Sequence, residues 1–453
     1  MSSDQRDISK AGLKRKLGFP AAIAMVVGTM IGSGIFMSPQ NLAAVTNPKT
    51  AMLAWAITGA GSVFIAMTFA DMVTKIPKTG GPVVYTRVAF GEFPSFLVGW
   101  SYWIGTWTSL GAIINGCVRY LGNLTPVIGE NKAASFIAAS AILWLIIYIN
   151  VRGIKQAGSV VAFTTICKLV PLALFLIIGL FHFHPEFFNT AAGANVSGAD
   201  TLSAAIGVTL WSFMGLEMGV FPAEETKNAP VFIRRATIFG TIFVAVVYVV
   251  ISTVAFGIMP QNQLAHSQAP IADMLDQMTG GRWGGIFISL GVIISTFGAA
   301  TGCAIVTARC SYACAVDKTF PAVFKKINMK YGTPETSLII AGLLTNILFI
   351  LNYVKGLNAA YQLIMLLSTM STLPAYIATA GAEIRLAFQT GRQRINARLL
   401  RQSIIPFLAL VYSGYAVYGC GRQIIFWGVI LMLLGIPLYL YVKIAEQRSI
   451  GRQ

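Results

Sequence analysis

Apolar residues in this chain gather into stretches about twenty residues long, the length a helix needs to cross about 30 Å of hydrocarbon. Polar and charged residues collect between them. Twelve such stretches are read, at 18–45, 51–73, 94–120, 133–151, 157–181 and 201–222 in the first half, and at 236–258, 283–316, 337–354, 359–382, 404–420 and 423–442 in the second. The pattern predicts an all-α membrane protein with 12 transmembrane helices. Met1 to Lys16 is polar and leads into a first apolar stretch of full spanning length, so no cleavable signal peptide is expected.

Two stretches interrupt themselves. The first contains "VVGTMIGSGIF", Val26 to Phe36, with Gly28, Gly32, Ser33 and Gly34 at mid-membrane depth. Gly28 and Gly32 alone fit close helix packing, since small residues at spacing four let transmembrane backbones approach. The run Gly32–Ser33–Gly34 also weakens the helix itself, and unwound backbone is tolerated in a bilayer only where protein buries it or it lines a cavity. The sixth stretch repeats the feature in "TLWSFMGLEMGVFPAEE", Thr209 to Glu225, where Gly215 and Gly219 flank Glu217. Five crossings separate the two, so they run through the membrane in opposite directions. Interrupted spans at matching positions of two inverted halves point to a transporter binding site. A helix stopped at mid-membrane offers N–H groups and a positive dipole end to a carboxylate, or C=O groups to an ammonium. The backbones of Gly32, Ser33 and Gly34 and of Phe213, Met214 and Gly215 therefore suit the constant part of an amino acid, and Ile31 is a candidate substrate-binding residue beside them.

Composition agrees with a membrane setting. Of 453 residues, 56% are hydrophobic and 11% charged, against about 25% charged in an ordinary soluble domain. The net charge of +17 raises the question of a nucleic-acid partner, and its distribution answers it. With alternating spans and a cytoplasmic N-terminus, 25 of the 33 Lys and Arg fall in inside segments, 6 outside and 2, Lys168 and Arg309, within spans. That asymmetry follows the positive-inside rule, places both termini in the cytoplasm and leaves no role for nucleic acid. Cys117, Cys167, Cys303, Cys310, Cys314 and Cys420 lie in or beside spans without metal-ligand spacing, so no disulfide framework, metal or cofactor is expected. His182 and His184 mark a segment end, and the sequons at Asn123 and Asn195 matter only in a secretory pathway.

Intramembrane charge is expensive and marks function by default. Glu217, beside a helix break, is a candidate gate. Lys168, three residues before Pro171, is a candidate for proton coupling or for a tether that donates to freed carbonyls. Arg309, near the inner end of its span, is expected to snorkel.

On three motifs the chain resembles the amino acid-polyamine-organocation superfamily of secondary transporters, and within it the basic amino acid/polyamine antiporter group. They are "GTMIGSGIF" in span 1, "PKTGGPVVYTRVAFGEF" between spans 2 and 3, and "LWSFMGLE" in span 6. The resemblance implies a LeuT-like fold, two inverted five-helix repeats plus two C-terminal helices. Its divisions would be a cytoplasmic tail at 1–17, a first repeat at 18–183, a second at 201–385, spans 11 and 12 at 404–442, and a tail at 443–453. It also implies that Ser33 and Gly34 take the substrate carboxylate, that the carbonyls of Met30, Trp211 and Met214 take the ammonium, and that Trp211 covers the side chain. Gly80, Gly81, Tyr85 and Phe90 would belong to an inner-face structural element. Arginine exchangers of the group carry a second aromatic where this chain has Cys303, which weighs against arginine. Lys168 is absent from those exchangers and is similar to a lysine of proton-coupled, sodium-independent relatives.

The sequence is therefore read as a secondary active transporter that moves free amino acids across the cell inner membrane by alternating access, through antiport or proton-coupled uptake. A proton-coupled symporter of small neutral amino acids and a transporter-shaped sensor are the alternatives. No span carries a His/carboxylate cluster or an activated nucleophile, which disfavours an enzyme, and no filter-like repeat suggests a channel. Homo-oligomerisation is left open.

Overall fold

The interruptions expected at Gly32 and Gly215 are where the helices stop. The structure, a computed structural model, describes residues 18–78, 80–189, 199–221, 223, 226–390 and 397–450. The tail at 1–17, the sequon at Asn195, Arg392, Arg394 and Arg452 lie outside the described residues.

The first span is two helices, α1 (Phe19–Met30) and α2 (Ser33–Val45), separated by Ile31 and Gly32. Then come α3 (Pro48–Lys75) and the short α4 (Pro82–Phe90). Helix α3 starts where the Asn47 side chain accepts from the Thr50 N–H at 2.9 Å and Pro48 occupies the first turn, a position where its missing N–H costs nothing. Helices α5 (Glu92–Leu124) and α6 (Lys132–Val151) follow. The fifth span divides at Lys168 into α7 (Ile154–Cys167) and α8 (Leu169–Phe181). Helix α9 (Ala199–Phe213) ends at the second break, beyond which only a 3-10 turn, Met218–Val220, is regular. The remainder is α10 (Ala229–Ile258), α11 (Pro270–Thr279), α12 (Trp283–Val316), α13 (Glu335–Leu348), α14 (Leu357–Thr390), α15 (Ala397–Gly419), α16 (Arg422–Leu433) and α17 (Gly435–Ile450). An isolated β-bridge pairs Asn328 with Thr333.

Nine helical stretches among the described residues are long and apolar enough to cross a membrane. Of the twelve read from sequence, α5 and α15 fall outside that measure and α13 is shorter. The polarity of α5 has a structural reason. It packs against α12 and α14 and is buried along most of its length, so it needs no lipid-facing side. Burial grades outward from the broken helices: an 18-residue apolar window is 89% buried in Thr201–Val220 and 83% in Ala22–Val45, against 33% in Lys132–Val151 and 17% in Arg422–Gln447. The unwound backbone thus sits where protein surrounds it, as a bilayer requires. Peripheral helices expose Leu145, Phe163, Ile177, Phe426 and Leu440, an apolar surface suited to lipid.

Candidate functional site

At the first break Ile31 and Gly32 leave helical geometry, with φ −76°, ψ 74° and φ −107°, ψ −138°. The carbonyls freed there find donors from distant helices. The Lys168 ammonium donates to the Gly28 and Ile31 carbonyls at 2.5 and 2.7 Å, and Ser295 Oγ of α12 donates to the Ile31 carbonyl at 3.2 Å. Helix α2 then begins at Ser33 with Gly32, which has no side chain, as its N-cap. The first N–H groups of a helix have no intrahelical partner, and here they open beside a central cavity.

At the second break Gly215 takes φ +109°, a left-handed conformation that glycine adopts without steric penalty. Its N–H donates to Glu217 Oε2 at 3.1 Å. The same carboxylate accepts from Tyr102 of α5 at 2.9 Å and from Tyr376 of α14 at 2.7 Å. Glu217 is thereby fully buried with three donors, the arrangement that makes a buried charge tolerable. The two breaks also touch. Thr29 Oγ1 lies 3.2 Å from the Gly215 carbonyl, and the Tyr248 hydroxyl lies 2.6 Å from the Met30 carbonyl and 2.9 Å from that of Ser212, its single proton shared between them.

Between the breaks lies a narrow cavity of about 30 Å³. Met30, Gly32, Ser33, Gly34, Trp211, Met214, Glu217 and Cys303 line it, so most sequence-predicted site residues meet there. Ile31, Phe213 and Gly215 do not reach its wall. The Ile31 carbonyl faces Lys168, the Phe213 ring packs on Trp55 and Tyr248, and the Gly215 N–H faces Glu217. Lys168 stands behind the first break rather than in the cavity. Gly34 is set against α9: a Cβ there would lie 2.9 Å from Ser212 Cα. Cys303 does not leave an open wall, because its thiol donates to the Thr106 carbonyl at 3.2 Å. Cys310 and Cys314 are buried on the same helix, and the Cys310 thiol faces the Gly99 carbonyl of α5. Sequence reading missed Tyr102, Tyr376 and Tyr248, and also Tyr361, whose hydroxyl is 3.5 Å from Ser33 Oγ.

The sequence profile of the amino acid permease family matches residues 17–428. The chain belongs to the amino acid permease family. Among relatives of this permease, an arginine/agmatine antiporter of Chlamydia felis is 31% identical across 94% of the chain and 90% of its own length. An arginine/ornithine antiporter of Pseudomonas aeruginosa is 29% identical across 95% and 91%. The substrate-bound, outward-open structure of a Na+-coupled sialic acid symporter superposes with a TM-score of 0.57 at 13% identity, covering 88% of this chain and 89% of that one. That likeness concerns the fold alone. The permease is thus a multi-pass membrane protein of the secondary-transporter class, as its motifs imply.

Proposed function

We propose that this permease exchanges free amino acids across the cytoplasmic membrane by alternating access, with twelve spans, two inverted five-helix repeats and both termini in the cytoplasm. The observation that carries the reading is the meeting of two helix breaks around one cavity. In this reading Ser33 and the α2 N-terminus take the α-carboxylate, where free N–H groups and the helix dipole favour negative charge. The carbonyls of Met30, Trp211 and Met214 take the ammonium. Those of Met30 and Trp211 already accept from Tyr248 and the Met214 N–H, and a carbonyl has a second lone pair for the substrate. Trp211 covers the side chain, and Glu217 with Tyr102 and Tyr376 forms a gate. The relatives named for arginine exchange support antiport.

Purified protein in liposomes preloaded with one unlabelled amino acid tests this. Labelled L-arginine, L-ornithine and L-alanine outside are expected to enter faster when amino acid is inside, and empty liposomes to take up little. Equal uptake by empty and loaded liposomes would reject exchange. A second reading, proton-coupled uptake, is favoured by one observation: Lys168 is the cation that holds the first break.

A further inference from the structure

Among the described residues four charged side chains are almost completely buried: Arg119, Lys168, Glu217 and Glu383. Three have strong partners. Lys168 donates to two carbonyls, Glu217 accepts from three donors, and Glu383 pairs with Lys75 at 2.9 Å. Arg119 does not. Its Nη2 reaches Gln40 Oε1 at 3.4 Å and the Ser267 carbonyl at 3.3 Å, both long, while Nε and Nη1 have no partner. No described carboxylate forms an ion pair with it. A buried guanidinium offers five N–H donors in a fork that matches a carboxylate, and leaving donors unpaired in a low-dielectric interior is costly.

Its position supplies a use. Arg119 lies near the end of α5, over the Tyr361 ring at 5.5 Å from the centroid, and Tyr361 in turn reaches Ser33 at the central cavity. On its other side, Ser267 and Asp273 line a second, polar cavity of about 480 Å³ together with Asn262, Gln263, His266 and Gln277. In the orientation proposed above this vestibule is extracellular, and the guanidinium stands between it and the site. Asp273 accepts from Ser267 Oγ at 2.5 Å and faces the vestibule, so negative and positive charges follow each other along one route. An amino acid carries the complementary pair. We propose that Arg119 is an anion site on the extracellular route, taking the α-carboxylate of an incoming amino acid between the vestibule and the central cavity. The two long hydrogen bonds are the ties that an arriving carboxylate replaces. The inference rests on the transporter reading.

The test separates a carboxylate site from a structural tie. In loaded liposomes, labelled L-arginine, agmatine and L-alanine are offered from outside to wild type, Arg119→Gln and Arg119→Lys. Arg119→Gln is expected to raise KM for external L-arginine and L-alanine about tenfold or more, the loss of a charged hydrogen bond. Agmatine, lacking the carboxylate, should stay within about twofold, and Arg119→Lys should restore part of the loss. A parallel shift for agmatine, or none for any of the three, overturns the site. Replacing chloride by gluconate distinguishes a free anion: a wild-type KM that depends on chloride, lost in Arg119→Gln, would assign the guanidinium to chloride and overturn the carboxylate role. Thermal unfolding of detergent-purified protein in sodium acetate against gluconate gives an answer independent of transport. Acetate is expected to stabilise wild type more than Arg119→Gln; equal stabilisation counts against the site, whereas absent uptake by wild type counts against the transporter reading.

Discussion

Glu217 is buried, and its three donors come from three separate parts of the chain: Tyr102 on α5, Tyr376 on α14 and the Gly215 N–H. Each hydrogen bond to a charged group contributes about 1.5–3 kcal/mol, so the carboxylate fastens these elements to one another in the conformation seen. Glu217→Gln, which keeps the shape but brings an amide N–H₂ toward a phenol that was donating, is expected to slow exchange by about tenfold or more while changing affinity less. Tyr102→Phe and Tyr376→Phe should act in the same direction. Stopped-flow exchange beside equilibrium binding checks this, and an equal loss in both would make Glu217 a ligand rather than a gate. Trp211 lines the cavity, and contact with a cationic side chain over its face is worth about 0.5–2 kcal/mol. Trp211→Leu should therefore weaken binding of L-arginine by roughly two- to thirty-fold, measured by isothermal titration, and unchanged affinity would remove Trp211 from the site. Glu217 and Lys168 were legible in the sequence because charge inside a span is rare. The freed carbonyls to which Lys168 donates were expected as well, whereas the partners of Glu217 were not. A tyrosine in an apolar span reads as packing, and Tyr102 and Tyr376 lie 115 and 159 residues from the carboxylate they hold.

The helix breaks themselves were legible, because clustered small residues weaken a helix wherever they fall. The first opens at Ile31 and Gly32, at the start of the run Gly32–Ser33–Gly34, and the second at the Gly215 that the sequence marks. What spacing alone does not show is the function of each glycine. Gly215 supplies a backbone angle, whereas Gly34 supplies closeness, since its missing Cβ would meet the Ser212 backbone at 2.9 Å. Gly34→Ala must push α2 and α9 apart by a few tenths of an ångström, and overpacking of this kind costs about 1–3 kcal/mol. The variant is expected to lose affinity for amino acids by about tenfold while keeping its helical circular dichroism. Decarboxylated amines should lose less, because the displaced element is the one proposed to face the carboxylate. Equal losses for both ligand types would separate Gly34 from carboxylate recognition. The joint at Lys168 has its own signal in Pro171, which lacks an N–H and whose ring crowds the carbonyl four residues back, at Cys167, and the helix there is interrupted by one residue.

At the scale of the whole molecule, a central helix can be less apolar than a lipid-facing one. Helix α5 lies in the middle of the bundle and falls outside the nine apolar spans because its neighbours are α12 and α14 rather than lipid. The fold class and the inner spans were legible as apolar stretches, since the two most buried, Ala22–Val45 and Thr201–Val220, are themselves apolar enough to cross a membrane; which helices pack on α5 was not. The same centre holds Lys168, the residue proposed for coupling. Lys168, from the α7–α8 joint, and Ser295, from α12, both donate to the Ile31 carbonyl, so three segments meet on one acceptor exposed by the first break. A fixed ammonium at that place leaves no need for a metal cation to hold the carbonyls, and uptake by wild type is expected to be indifferent to sodium. Lys168→Ala strands the Gly28 carbonyl without its donor, a loss of about 1–3 kcal/mol for a buried acceptor, and should slow exchange by about tenfold. The informative comparison is uptake with and without an imposed proton gradient. A gradient response in wild type that vanishes in Lys168→Ala makes the ammonium the switch between access states. Exchange that ignores the gradient in both proteins makes it a tether that holds α1 and α2 against α7, α8 and α12. Stimulation of wild type by sodium would exclude both, because a metal cation would then be acting where the structure places a lysine.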